Sequence, residues 1–562
     1  MTDTSASIAL ATSTRRAAAP DTPVRRRVDR TVAGLIIVMT VARIAYVIMA
    51  DPVNLTFRST DDAYYYFNVA RHIVAGDGMT FDGINTTNGF HPLWMLMLLP
   101  VFAIISEPTA ALRAVFVMVT GIAALNLWVA YRCVVHWAGR GAGLFGVCLL
   151  FAPFFLNAMV NGLETGLLIL ALFILIRAEQ RWSLLSVDAP LPANVLLGVL
   201  LAFVFLSRLD GVFVVLAVMT AIAWIALPHR SGGSWGTVVG KLVSVGLPAL
   251  VLVAPYLLFN MLRFGHLVPI SGALKSSFPQ VSFAGMRLSH LSTRLALMQI
   301  AMSTAAITIC LLARRTTRRP DRVTDRVPAI LWVLYGAGLL HLVNTLLFMN
   351  WAVHWWHFAS YVPATIILTA MAFDAWVRRL GNGRVWTTTG VVLAAAASAA
   401  MLRADTVRRG DHHKPWYHAA LWANAHLPPS AVLAMTDCGL FGYFCRRPTV
   451  NLDGVINGYE YQRALRDHRL RAYLKKCNVT HIADYEVHYG EGPYRIRLPA
   501  RLYRRPGGLI LATPQAETYH SDPYGNAFDR DDAIHFAIWP IDRLTIIDAE
   551  PAGGKSVLGE GT

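Results

Sequence analysis

The chain has 562 residues, of which 55% are hydrophobic and only 15% charged, with a mean hydropathy of +0.45. Soluble domains carry about 25% charged residues, so this composition excludes an ordinary soluble fold and points to many membrane spans. The net charge of +16 does not indicate nucleic acid, because the basic residues fall in short runs between apolar segments and form no single stripe.

In chain order, residues 1–30 are rich in Ser, Thr, Ala and Arg, have little to bury, and read as a disordered cytoplasmic tail. The apolar run Val32–Ala50 is long for a signal-peptide core and no cleavage pattern follows it, so it reads as a retained first span. Further apolar runs lie near 92–106, 109–131, 141–158, 164–178, 192–207, 211–227, 238–259, 296–313, 328–349, 356–376 and 385–402. Each approaches the ~20 residues a helix needs to cross the hydrocarbon. Beyond Leu402 the character changes to short β-like runs ("AVLAMTD", "VTHIADY", "GLILAT", "IHFAIW", "LTIID") separated by polar turns and helical patches. The expected architecture is a polytopic all-α transmembrane bundle of about 11–13 helices. It is divided into a tail (1–30), a transmembrane domain (31–402) with an outer loop at 51–91, and a soluble extracytoplasmic α/β domain (403–562).

Charge sets the orientation. "RRRVDR", "RRTTRRPDR" at Arg314–Arg322 and "RRLGNGR" at Arg378–Arg384 mark cytoplasmic loops. The N-terminus is then inside, while residues 51–91, 264–292 and 350–357 and the C-terminal domain are outside. Twelve full spans would return the C-terminus to the cytoplasm; parity is restored if 92–158 supplies two or four spans in place of three. The six cysteines are scattered and include no CxxC pair. Cys438 and Cys445 are either a disulfide or free thiols.

This topology gathers polar residues on one face of the membrane. Asp61 and Asp62 open "DDAYYYFNVARHIVAGDGMTFDGINTTNGFHPLW", which also holds Tyr65 and His91. Glu164 lies in "MVNGLETG", Arg208 and Asp210 in "LSRLDG", Arg263, His266 and Lys275 in "FNMLRFGHLVPISGALKSS", and His354 and His357 in "NWAVHWWHF". An ionisable group at bilayer depth costs about 2.5–3.5 kcal/mol even on the lenient insertion scale, so such groups line a cavity or pair with one another.

Displacement at a sugar anomeric carbon with a phosphate leaving group calls for such a set. A carboxylate must take the acceptor's hydroxyl proton, and cations must stabilise the departing phosphate. Asp61 and Asp62 would supply the base and its neighbour, with Lys275, Arg263 and Arg208 on the donor phosphate. Adjacent residues point to different sides, so one aspartate faces the acceptor and the other holds a cation, the loop or a helix N-terminus. Plain readings compete. Asp at a helix start is ordinary capping, and Glu164 could likewise cap a helix, bind metal or support the site. Arg208 and Asp210 suit an internal ion pair, and His91 a packed cap. His354 and His357 flank tryptophans of an interfacial belt. No ligand set in the sequence decides for or against a divalent cation.

A first span, an outer loop with an acidic pair and a tyrosine-rich interfacial helix, then "GFHPLW" opening the next apolar run, resembles the GT-C glycosyltransferases. These multi-span enzymes use polyprenyl-phosphate sugars and include protein O-mannosyltransferases and the lipid A aminoarabinose transferase. The loop looks closest to the mycobacterial arabinofuranosyltransferase-like branch, as do "NGLET", "SRLDG", "FGHLVPISGALKS" and "LFGYFCRRPTVNLDGVING". The resemblance spans roughly residues 30–480 and implies a bacterial plasma-membrane enzyme with an extracytoplasmic site. It implies a polyprenyl-phosphate-linked sugar donor, a glycan or lipid acceptor, membrane lipids around the bundle, inversion, and Asp61 as the base. A transporter or flippase of a lipid-linked sugar is the alternative, against which stand the absence of an internal repeat and the large outer domain.

Overall fold

In the computed structural model the described residues are 23–227, 234–282, 291–316, 327–349, 351, 353–380, 382–408, 413–467, 469–484, 494–498, 509–513, 519–520, 536–543 and 545–548. The first helix begins at Pro23 and runs to Met49, so residues 23–30 of the expected tail are helical; residues 1–22 lie outside the described set, as does 317–322 of the Arg-rich loop. Its apolar face at Leu35, Ile37 and Val38 is exposed, which suits a helix whose solvent is lipid.

Among the described residues seven helices are long and apolar enough to cross a membrane. The count is eight if Pro153–Val160 and Thr165–Trp182, bent by 101° at their junction, form one broken span. The chain is thus a multi-pass membrane protein. Shorter apolar helices at Pro92–Ile104 and Leu191–Ser207 join the bundle. Pro108–Leu150 has 43 residues, and at 1.5 Å per residue would extend about 65 Å, twice the hydrocarbon thickness. It resolves into two arms at Gly139, where the backbone leaves helical geometry. The runs expected at 109–131 and 141–158 are these two arms plus Pro153–Val160. Pro92–Ile104 has only 13 residues, opens on proline and contains Pro100, so it is too short to cross unaided.

The expected border at 402/403 falls inside the helix Gly383–Arg408, and the C-terminal domain opens with His413–His426. Among the described residues eight strands follow: β1 Leu433–Met435, β2 Thr449–Asn451, β3 His481–Asp484, β4 Tyr494–Leu498, β5 Leu509–Thr513, β6 Tyr519–His520, β7 Ala537–Pro540 and β8 Thr545–Asp548. They make a mixed five-stranded sheet in the order β2-β1-β3-β7-β6 and a three-stranded antiparallel sheet β4-β5-β8. The five β-like runs of the sequence coincide with β1, β3, β5, β7 and β8. No disulfide joins any of the six cysteines, Cys438 and Cys445 included.

One core sits inside the bundle, where Val362–Arg379 packs against Pro108–Leu150 and Leu291–Thr316. A second core joins the two domains: Tyr64, Phe67, Trp94 and Phe116 of the membrane part are continuous with Leu433, Phe441, Tyr443 and Ile538. The helix Asp61–Ala75 is the seam. Arg71 donates to the Tyr443 carbonyl at 3.0 Å, and the Tyr443 hydroxyl donates to the Pro108 carbonyl at 2.7 Å. At its N-terminal end the Asp61 backbone approaches Gly439 so closely that a Cβ there would stand 2.2 Å from the Asp61 carbonyl oxygen and 2.8 Å from Oδ2. Gly439→Ala is therefore expected to destabilise the seam by about 1–3 kcal/mol, the usual cost of forced overpacking. Gly336→Ala, in a helix with open space around it, should leave the midpoint unchanged; thermal unfolding of the purified variants checks both.

Candidate active site

The helix Asp61–Ala75 starts without a side-chain cap of its own, and its two first-turn carboxylates go separate ways. Asp61 turns to the C-terminal domain, where Oδ2 accepts from the Gly439 N–H at 2.9 Å and Oδ1 from the Leu440 N–H at 2.7 Å. It thus caps the short helix Gly439–Phe444 from the other domain. Burial, then the nearby Asp437 carboxylate, push its carboxyl well above the usual range, opposed by the two N–H bonds. Asp62 turns instead into a cavity whose wall it shares with Tyr65, Tyr66, His91, Glu164, Arg208 and Lys275. Its carboxylate has no hydrogen-bond or ion-pair partner among the described residues.

Tyr65 and Tyr66 continue the same wall, and Gly89 and His91 of the loop at 76–91 close one side. That loop is held from within: Asp82 accepts from the backbone N–H groups of Ile84 and Asn85 at 2.8 and 2.7 Å. Asn88, which sequence reasoning did not single out, is buried and ties two further elements to the loop. Its Oδ1 accepts from Ile270 N–H at 3.0 Å and its Nδ2 donates to Asn260 Oδ1 at 3.1 Å. Ile270 opens the helix Ile270–Lys275, whose last residue lines the cavity. Lys275 has no ion-pair or hydrogen-bond partner among the described residues.

Opposite lies a buried charge cluster. Arg208 reaches Asp210 through Nε at 3.1 Å and Nη2 at 2.9 Å, and Glu164 Oε1 through Nη1. His91 Nε2 stands 3.7 Å from the same Glu164 oxygen. With one guanidinium between two carboxylates, the triad is over-neutralised, and a phosphate would meet little free positive charge at Arg208. Glu164 and Arg208 line the cavity while Glu164 Oε2 is buried without a partner. His357 and Trp356 complete the wall, with His354 stacked on Trp356 at 4.3 Å.

The structure thus brings together Asp62, Tyr65, His91, Glu164, Arg208, Lys275 and His357, with Asp210 behind Arg208. It does not bring Arg263 or His266 to the cavity wall. Both are exposed near the end of the helix Trp235–Phe264, and His266 stacks on Tyr459 at 4.2 Å. Among the described residues no group of three or more His, Cys, Asp or Glu side chains is disposed to hold a metal ion. The sequence reading also missed Val455, which lines the cavity from the C-terminal domain, and Asp453, which accepts from the Tyr65 hydroxyl at 2.9 Å. Both belong to "NLDGVING", a tract whose residues carried resemblance but no assigned role.

The fold is shared with ArnT from Cupriavidus metallidurans. The apo structure matches with a TM-score of 0.52 at 14% identity, covering 80% of this chain and 92% of that one. The structure bound to undecaprenyl phosphate matches with a TM-score of 0.50 at 14% identity, over 80% and 93%. The chain therefore has the GT-C fold. Looser matches are the Archaeoglobus fulgidus oligosaccharyltransferase tethered to an acceptor peptide and the arabinosyltransferase EmbB from Mycobacterium smegmatis. The first has a TM-score of 0.49 at 15% identity over 81% of this chain and 69% of that one. The second has 0.34 at 15% over 65% and 32%. A family model described as a domain of unknown function (DUF8728) matches residues 404–523. No curated protein matches the sequence.

Because Arg208 compensates two carboxylates, Arg208→Met should cost about 3–5 kcal/mol, the range for stranding a buried charge. Neutralising both partners in Arg208→Met/Glu164→Gln/Asp210→Asn should recover most of that loss, as read by thermal unfolding of the full chain.

Proposed function

We propose that this chain is an integral-membrane, inverting glycosyltransferase that moves a sugar from a polyprenyl-phosphate donor to a cell-envelope glycan or lipid outside the cytoplasm. The observation that carries this reading is one cavity holding a carboxylate, Asp62, and an ammonium, Lys275, each without a hydrogen-bond or ion-pair partner among the described residues. The GT-C fold adds support, as does the undecaprenyl phosphate bound by the similar ArnT.

In this reading Asp62 accepts the acceptor's hydroxyl proton as that oxygen attacks the anomeric carbon. The bond from carbon to phosphate oxygen breaks on the opposite face, its electron pair goes to the phosphate, and Lys275 stabilises the charge that develops there. Family resemblance alone would assign the base to Asp61. We assign it to Asp62, because both Asp61 oxygens already accept backbone N–H bonds. Arg208, held by two carboxylates, orients Glu164 toward the substrate and leaves the phosphate to Lys275. The arginine runs near the N-terminus and at Arg314–Arg322 and Arg378–Arg384 support a cytoplasmic N-terminus and an extracytoplasmic cavity in the plasma membrane.

Release of free polyprenyl phosphate from a labelled polyprenyl-phosphate sugar, measured with the purified chain and envelope acceptors, tests the assignment. Asp62→Asn should lower turnover by roughly 10²–10⁴-fold, the usual worth of a positioned base. Lys275→Met should lower it by about 10²–10³-fold. Full turnover by Asp62→Asn would overturn the reading.

A further inference from the structure

The loop from Asn451 to Asn457 in the C-terminal domain is tightly built and abuts the cavity. Asn451 Oδ1 accepts from Gly454 N–H at 2.8 Å, and Asn457 Nδ2 donates to the Asn451 carbonyl at 2.7 Å. Gly454 has φ +84°, and a Cβ there would stand 2.4 Å from Gln462 Nε2, so the turn requires glycine. This fixes the Asp453 carboxylate, which is 4% exposed, with Oδ1 on the Val455 N–H at 2.8 Å and Oδ2 near the Asp437 N–H at 3.2 Å. The same Oδ2 accepts from the Tyr65 hydroxyl at 2.9 Å, while that hydroxyl's oxygen accepts from Asn451 Nδ2 at 3.3 Å.

A phenol has one proton to give, and here it is spent on Asp453. Tyr65 stands three residues after Asp62 on the same helix, a spacing that places both side chains on one face, and both line the cavity. A hydrogen bond donated to a carboxylate favours its charged form and weakens it as a base. We infer that Asp453 is a positioning residue that draws the Tyr65 hydroxyl away from Asp62, so that the C-terminal domain keeps the cavity's carboxylate free to take a proton. This rests on the glycosyltransferase reading for its catalytic meaning, but the hydrogen-bond arrangement does not. It gives the region matched by the family of unknown function a role inside the reaction cavity, through Asp453 and Val455.

Asp453 itself bears on Asp62 electrostatically, and its charge is lost in both 453 variants below; the other charged groups around Asp62 are the same in each. Asp61 stands on its own helix, and Asp437 in the C-terminal domain. His91, Glu164, Arg208, Lys275 and His357 line the cavity from the loop and the bundle. With Leu at 453 neither acceptor oxygen remains, so the phenolic proton turns to the cavity.

Carbodiimide labelling of Asp62 in the full chain, followed against pH by peptide mass spectrometry, reports protonation of that carboxyl without any substrate. The half-labelling pH should fall in Asp453→Leu, which loses a like charge as well as the phenol's acceptor, and rise again by about one unit, the change expected from one hydrogen bond, in Asp453→Leu/Tyr65→Phe. Turnover with the labelled donor should fall about tenfold in the single variant, with the acidic limb of its pH profile shifted the same way. An equal half-labelling pH in folded Asp453→Leu and Asp453→Leu/Tyr65→Phe overturns the inference. Tyr65→Phe alone offers a second test if Asp453→Leu does not fold. It should leave Asp62 labelling at the wild-type pH, and a rise would show that the hydroxyl had been on Asp62, which also overturns the inference. A labelling shift without any change in turnover supports the hydrogen-bond arrangement and counts against Asp62 as the base. Altered turnover without a labelling shift does the reverse.

Discussion

Two backbone N–H groups of the C-terminal domain converge on the Asp61 carboxylate across 378 residues of chain. Each would be an orphan donor at the start of the helix Gly439–Phe444, and a carboxylate satisfies both while favouring the positive end of that helix. Because the two oxygens are taken, the next residue on the helix is turned elsewhere, and the cavity acquires its only first-turn aspartate among the described residues. The arrangement also presses the two domains into one core, with Phe441 and Tyr443 against Tyr64 and Phe67. The docking of the C-terminal domain and the geometry of the cavity are thus one constraint.

The electrostatics of the cavity follow from how charge is compensated. Arg208 sits between Glu164 and Asp210, a pairing that lowers the cost of burying three ionised groups but leaves the guanidinium little to offer an incoming anion. Lys275, at the end of a short helix hung from Asn88, has no such partner among the described residues. The division of labour between a structural arginine and an available lysine depends on their neighbours, not on their charge.

Much of this was legible in residue order. The apolar runs, the five β-like stretches and the acidic pair ahead of a tyrosine-rich helix appear where expected. Local signals of this kind survive because helix length, strand alternation and capping act over a few residues. Arg263 and His266 share a segment with Lys275 yet lie away from the cavity, since the chain turns at Gly265 and only its continuation folds back. Asn88, Asp453 and Val455 carried no distinctive chemistry as residues; their importance comes from contacts made across hundreds of positions.

By itself the sequence determined that the chain is a membrane protein, which segments are apolar, and that a carboxylate pair stands where the first span ends. Composition and periodicity are enough for that, because the bilayer imposes a hydrophobic length on each segment separately. Which of the two aspartates looks into a cavity, and which cation is left unpaired there, was decided only by tertiary structure. A helix start points adjacent side chains in different directions, and only the docked C-terminal domain, by offering N–H donors to one of them, determines which carboxylate remains free.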